Sequence, residues 1–394
     1  MITDDELSSL RTHVESRRSA FEADLEQIVN IDCGSYSKSG VDQIGAWVIS
    51  RLESLGATVR TESHDRFGDT VVGVIDGSGT TRVLLIGHMD TVFADGTVAE
   101  RPYNVRDGRA HGPGTDDMKG GLLAGLYALD ALRSTAADGR LPFGRLTFVA
   151  NPDEEIGSPT STPVIRGIAP DVDVCFVLEA ARENGNIVSA RKGIADFVVE
   201  IHGRAAHAGV EPEKGRSAIV EAAHKTLALT ALNGRWPGVT VNVGVIGGGT
   251  RPNVVAESCA IEIDLRGTAR ADMEAAESAI REIAQTPTVA DVTSTITRRN
   301  QWWPMEKTPP TAALAKRAIE LAGRLGFDLA DTSTGGASDA NTTSGMGIPT
   351  LDGLGPIGGN AHAASEYMEL DSIVPRTTLL AALMLSVARE TPSR

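Results

Sequence analysis

Apolar positions along the 394-residue chain change their period several times, and those changes divide it into parts. From about residue 4 to 30, and again from 41 to 55, they recur at three- and four-residue spacing, which predicts two amphipathic helices, the second stopped by Gly56. Short β-branched runs follow at about 57–63, 69–76, 82–87, 145–150 and 172–178. Several are continuously apolar, the pattern of strands covered on both faces by helices. A long helix is predicted between them, from about Met118 to Arg133. From Gly193 the pattern changes to strand 194–203, helix 215–232, strands 239–247 and 254–266, helix 270–285 and strand 289–299. That order, βαββαβ, forms a complete two-layer unit of the ferredoxin-like kind. The α/β style then resumes with a helix at 311–325, a strand at 349–354 and a final helix at 371–389. The reading is an α/β domain in two parts, 1–192 and 302–394, split around an inserted domain, 193–301.

Composition narrows the function classes. Hydrophobic residues make up 41% of the chain, enough for real cores, and 52 acidic against 37 basic side chains leave a formal net charge of −15. Such a surface repels phosphate backbones and anionic lipid, and no basic patch offsets it, so neither nucleic acid nor membrane is expected as a partner. Wholly apolar runs such as Val83 to Ile86 and Val174 to Leu178 fall far short of the roughly 20 residues of a membrane span. Asp4, Asp5 and Glu6 give the opening residues the wrong polarity for a secretory signal, and the expected location is cytoplasmic. Three cysteines, Cys33, Cys175 and Cys259, lack any C-x-x-C spacing and suggest neither a disulfide frame nor a thiolate zinc site.

Several familiar chemical motifs are missing: there is no H-E-x-x-H, no G-x-S-x-G and no Gly-Lys dipeptide. A literal G-x-G-x-x-G at Gly353, Gly355 and Gly358 contains Pro356 and lacks a following helix of the required unit, so it reads as a loop. The informative feature is where acids and histidines fall relative to the strands. One strand ends in His88-Met89-Asp90, and i and i+2 share a side, so Asp90 can fix the tautomer of a metal-bound His88. Asp116 and Asp117 precede the predicted helix in a Gly-rich turn, where one Asp would suffice as an N-cap. Asn151-Pro152-Asp153-Glu154-Glu155 follows another buried strand. Either it is a solvated acidic loop, or one carboxylate binds metal while its neighbour stays free as a base. The next strand delivers Glu179, and His362 follows Gly358-Gly359-Asn360. Taken together, His88, Asp117, Glu155, Glu179 and His362 fall at strand ends or adjoining turns, where open α/β sheets place their sites. So many acids need a cation. Imidazole and carboxylate ligands without thiolate fit zinc, with cobalt or manganese possible, and Asp117 could bridge two ions roughly 3.5–4 Å apart.

The runs Gly87-His88-Met89-Asp90-Thr91-Val92 and Gly114 to Gly121, the Asp153-Glu154-Glu155 triplet and Ala206-His207-Ala208-Gly209 together resemble the M20 metallopeptidases, over essentially the whole chain. The sequence looks most like their glutamate carboxypeptidase branch, with acetylornithine deacetylase and succinyl-diaminopimelate desuccinylase as relatives. The resemblance implies a zinc-peptidase-like catalytic domain carrying a lid and dimerisation domain. It implies one zinc on His88 and Glu179, a second on Glu155 and His362, Asp117 between them, and Glu154 as general base. Asp90 would orient His88, and His207 would reach the active site of a partner subunit. Asn253, Arg266, Thr334 with the turn that follows, and Arg299 match substrate-binding positions. On residue chemistry alone, His207 could cap a helix, Arg266 could be a sheet-surface charge and Asn253 could close a turn. Where the glutamate-specific branch carries a lysine after the Glu179-type ligand, this chain has Asn186, with Arg191 and Lys192 nearby. An N-acyl amino acid deacylase, a desuccinylase or a dipeptidase therefore stands beside the carboxypeptidase reading, and a non-catalytic metal-binding scaffold stands further off.

Overall fold

The computed structural model describes residues 2–136 and 139–389. The chain packs into two compact units: residues 1–189, 307–333 and 338–394 form the first, and residues 190–306 with 334–337 form the second. The second unit thus begins at Ala190, ends its main stretch at Glu306, and takes in the short segment 334–337.

The first unit is built on a six-stranded sheet with spatial order Thr58–Glu62, Thr70–Asp76, Arg145–Asn151, Arg82–His88, Val174–Val177 and Thr350–Leu351. The last four run parallel, and the first two join antiparallel. Helices Asp4–Val29, Lys38–Ser54, Gly120–Thr135, Pro309–Leu325 and Ile373–Ala388 supply its core. The first helix is fixed at its start by a capping box between Thr3 and Glu6. Helices Gly120–Thr135 and Ile373–Ala388 are buried nearly all round, which explains their almost unbroken apolar sequence. Leu370–Ala388 has the length and hydropathy of a membrane span, a property that a count of unbroken apolar runs misses, yet 83% of that window is buried in the protein. A four-stranded antiparallel sheet of short segments, Gly358–Gly359, Tyr367–Glu369, Arg109–His111 and Asn104–Arg106, completes the unit. These segments carry too little β-branched pattern to be legible in advance.

The second unit is a four-stranded antiparallel sheet with spatial order Thr240–Gly248, Ser258–Gly267, Gly193–His202 and Thr293–Trp302, packed on helices Ala218–Thr230 and Arg270–Gln285. Numbered along the chain, the strands lie in the order 2-3-1-4, and the connectivity is the expected βαββαβ. Its interior holds an ion pair, Lys225 to Glu221 at 2.9 Å, with side chains 2% and 0% exposed. Lys225 also donates to the carbonyls of Ile283 and Thr286 at the end of one helix, and Glu221 accepts from the amides of Thr288 and Val289. Removing one partner of such a pair strands a buried charge. Lys225→Met is therefore expected to lower stability by about 3–5 kcal/mol. Urea unfolding followed by tryptophan fluorescence, with Trp236, Trp302 and Trp303 all in this unit, would measure it.

Candidate metal centre

The parallel strands of the first unit end together at one edge of the sheet. His88 pairs with Asn151, and Ile86 with Val177, so Glu179, two residues beyond Val177, comes level with His88. His88 Nε2 lies 3.8 Å from Glu179 Oε1 and 3.0 Å from Asp117 Oδ1. His362 Nε2 lies 3.2 Å from Asp117 Oδ2 and 3.1 Å from Glu155 Oε2. Asp117 thus turns one oxygen to each imidazole. Ligand atoms of His88, Asp117 and Glu155 fall within 4.8 Å of one another, and so do those of His88, Glu154 and Glu179. The structure brings all five sequence-predicted ligands and Glu154 into one cluster. His362 differs in origin: it sits in the loop between the short strands Gly358–Gly359 and Tyr367–Glu369, not at the edge of the main sheet.

The turn carrying Asp117 departs from expectation. Residues Thr115–Lys119 form an irregular turn, non-helical at Asp117 and Met118, and the regular helix starts at Gly120 instead of Met118. Neither Asp116 nor Asp117 caps it; Asp116 is buried and Asp117 faces the histidines. Gly114 opens the turn at φ +76°, a region that disfavours side chains. At Gly121 a Cβ would lie 1.7 Å from the Leu178 carbonyl oxygen, so only glycine lets the helix press against the strand end beside Glu179. The buried Lys119 donates to the carbonyls of Ile31 and Pro113, both at 3.1 Å.

Asp90 ties two parts of the site together. His88 Nδ1 lies 3.0 Å from the Asp90 carbonyl oxygen and 3.4 Å from Asp90 Oδ1. Since a carbonyl only accepts, Nδ1 carries a proton, which leaves Nε2 as the nitrogen that would take a metal in place of its own proton. The Asp90 carboxylate accepts from the Ser35 hydroxyl at 2.6 Å and from the amides of Glu154 and Glu155 at 3.1 and 3.2 Å. The acidic triplet is no solvated loop. Asp153, fully buried, accepts from Thr160 and Ser161 ahead of helix Ser161–Ile168, and the Glu155 side chain is only 5% exposed.

Electrostatics follow from that crowding. Burial, reinforced by the Glu179 charge, pushes the Glu154 carboxyl well above its ordinary range, and burial raises Glu155 as well. Burial opposes a charged His88, but its bonds to Asp117 and Asp90 outweigh that and hold it well above 6.5. Bonds to Asp117 and Glu155 raise His362 to about 10. Protonated imidazoles here stand in for cations. Glu155 Oε1 is buried without a hydrogen-bond partner. An orphaned carboxylate oxygen among imidazole nitrogens and further carboxylates, with no thiolate, fits a divalent metal of the zinc, cobalt or manganese type.

The remaining predicted residues belong to the second unit. His207 is exposed, and its Nδ1 accepts from the Gly209 amide at 3.2 Å. His207 pairs with Val254, and the Ala208 amide donates to the Asn253 carbonyl, so these two motifs are neighbours. Arg266 is held by Asp264 and donates to the Gly335 carbonyl at 3.1 Å, while Arg191 donates to the Gly336 carbonyl at 3.0 Å. Thr334 accepts through its carbonyl from the Lys192 amide. Arg299 is paired with Glu262 at 3.1 Å, apart from both groups. Sequence reasoning missed three supports in the first unit. Asp339, buried and raised to about 7 mainly by that burial, accepts from Ser158 and Asn151. Glu366 accepts from the amides of Gly114, Asp116 and Asp117. The fully buried Arg376 donates to the carbonyls of Gly353, Gly355 and Gly185, and the Gly355 amide bonds the Glu179 carbonyl. The G-x-G-x-x-G is therefore a backbone brace behind Glu179. Its signal was a glycine pair with no phosphate-site context.

Metal binding should be visible as stability. Ligation of the folded state alone adds about 2.7 kcal/mol at a free ion concentration a hundredfold above Kd. Titrating metal-stripped protein with Zn2+ is expected to raise the thermal midpoint, and His88→Ala is expected to lose most of that rise. A midpoint indifferent to divalent ions would refute the centre.

Residues 84–386 match the model of peptidase family M20/M25/M40. The chain is 32% identical over 371 residues to carboxypeptidase G2 of Pseudomonas sp. (strain RS-16), covering 92% of this chain and 87% of that protein. Among solved structures, aminopeptidase PepT of Bacillus cereus superposes with a TM-score of 0.78 at 23% identity, covering 94% of this chain and 99% of that one. An M20 family metallo-carboxypeptidase of Sulfolobus solfataricus gives 0.72 at 16%, covering 93% and 99%. These likenesses agree with the strand-edge cluster and with the separate antiparallel sheet, and the chain belongs to peptidase family M20/M25/M40, as a metallohydrolase.

Proposed function

We propose that this protein is a di-zinc hydrolase that cleaves the amide bond of C-terminal or N-acylated amino acids. The observation that carries the reading is Asp117, which offers one oxygen beside His88 and the other beside His362, as a carboxylate between two ions must. Similarity to carboxypeptidase G2 supports the carboxypeptidase form. His88 and Glu179 would hold one ion, and Glu155 and His362 the other. Two bound zinc ions would supply Lewis-acid charge to the scissile carbonyl and a lowered pKa to the attacking water.

Glu154 takes the proton of that water at its carboxylate and returns it to the departing amine. Asp90 keeps Glu154 in place through the backbone amide and keeps His88 in one tautomer. The His207 Nδ1 accepts from Gly209, which leaves Nε2 as the protonated nitrogen, a donor suited to an oxyanion. Arg266, with Arg191 on the same Gly335-Gly336 turn, suits the free carboxylate of the leaving amino acid. A concavity beside Glu155, lined by Tyr36, Val92, Phe93 and Ile156, has Asp95 and Glu155 as its charged residues and no basic one. That lining disfavours a second carboxylate and suits the acyl half of the substrate. Asn186, where the glutamate-specific branch has lysine, favours a deacylase or dipeptidase as the second reading.

The same unit that carries His207 has apolar side chains in the open: Ile219, Val220 and Leu227 on helix Ala218–Thr230, and Val245 and Ile246 on the edge strand Thr240–Gly248. An unpaired strand edge with exposed apolar residues supports a homodimer through this unit, with His207 acting on a second copy of the chain.

Glu154→Gln is expected to keep two zinc ions and lose about 10²–10⁴-fold in kcat on N-acyl amino acids. Steady-state rates with metal analysis check this; wild-type turnover in the two-zinc variant would refute the base. Arg266→Met should act chiefly on KM, and a change confined to kcat would contradict its gripping role.

A further inference from the structure

We propose that Glu366 is a positioning residue that sets the backbone of Asp117, and through it the geometry between the two metal half-sites. The inference rests on the two-metal reading above. Glu366 is 1% exposed. Its Oε2 accepts from the Gly114 amide at 3.0 Å, and its Oε1 accepts from the amides of Asp116 at 2.8 Å and Asp117 at 3.1 Å. Among the described residues no basic side chain pairs with it; its partners are three main-chain N–H groups.

Those amides belong to the turn Thr115–Lys119 and the residue before it, where the chain is not yet helical and their usual carbonyl partners are missing. A carboxylate that gathers three of them fixes the path of the chain at the residue whose side chain must face both histidines. A charged acceptor is also an unfavourable choice there, because Asp116 and Asp117 add like charge beside it. A neutral amide would offer one acceptor oxygen and turn its NH2 toward the remaining N–H, whereas the carboxylate meets all three amides with both oxygens, which points to a demand for rigidity.

Glu366 also reaches the second half-site along its own segment. It lies four residues beyond His362, and the turn between them is closed by bonds from Ala363 N to Asn360 O and from Glu366 N to Ala363 O. The Glu366 carbonyl accepts from His111 at 3.1 Å, in the strand Arg109–His111. One side chain therefore fastens the His362 loop to the Asp117 turn. The opposite half-site, His88 and Glu179, stands on the ends of buried parallel strands and shares only the Asp117 carboxylate with this fastening.

The test is metal titration of stripped Glu366→Gln and Glu366→Asp, by calorimetry with Zn2+ and by visible absorption with Co2+. Glutamine keeps the shape with one acceptor; aspartate keeps the charge but falls one methylene short. Both variants are expected to bind the second ion about 10–100-fold more weakly and the first within about threefold of wild type, with an altered Co2+ spectrum for the second equivalent. Equal weakening of both ions, or unchanged ion affinities with only a lower metal-free midpoint, would overturn the proposal by reducing Glu366 to a general stabiliser. Should one variant fail to fold, the other decides by the same two affinities. If wild type takes up a single ion, the two-metal reading fails, and Glu366 is then judged by whether E366Q weakens that ion at least tenfold.

Discussion

Mutual repulsion among buried carboxylates is the constraint around which this protein is arranged. Asp117, Glu154, Glu155 and Glu179 converge at one sheet edge with Asp90, Asp116, Asp339 and Glu366 close behind, and among the described residues two imidazoles are the basic side chains that face them. Such repulsion is relieved by protonation, toward which burial pushes Glu154, Glu155 and Asp339, or by a bound cation, and hydrogen bonds from the main chain do the rest. Asp90 collects the amides of Glu154 and Glu155, and Glu366 collects those of Gly114, Asp116 and Asp117. The acids therefore come in two kinds. Some face the cluster interior, and others spend their charge on backbone N–H groups that aim the first kind.

Much of this was legible in the sequence because it follows from strand geometry. His88, Asn151 and Glu179 share a level because parallel strands in register end together, and continuous apolar runs mark such strands plainly. The βαββαβ order and its helix positions were equally readable, since amphipathic periods survive in a small two-layer unit. The Asp117 turn was misread as a helix start because Asp in a Gly-rich stretch has the same local signature whether it caps a helix or leaves the helical path. The short strands around His362 were invisible: segments of two or three residues carry no period, and their pairing with Arg109–His111 is set by tertiary packing. Arg376 lay inside an apolar helix, where its burial follows only from the glycine carbonyls that face it.

The supports and the chemistry are divided between different parts of the chain. Strand ends supply His88 and Glu179, a loop tied back by Asp90 supplies Glu154 and Glu155, and the C-terminal stretch supplies His362 together with the braces Glu366 and Arg376. The separate antiparallel unit brings an exposed imidazole and two guanidinium groups gathered on one Gly-Gly turn.

The most direct measurement is anomalous diffraction at the zinc edge from crystals of the metal-loaded protein. The account predicts two peaks roughly 3.5–4 Å apart, one on each side of the Asp117 carboxylate, with Glu154 bonded to neither. A single peak, or ions bound away from Asp117, would contradict it.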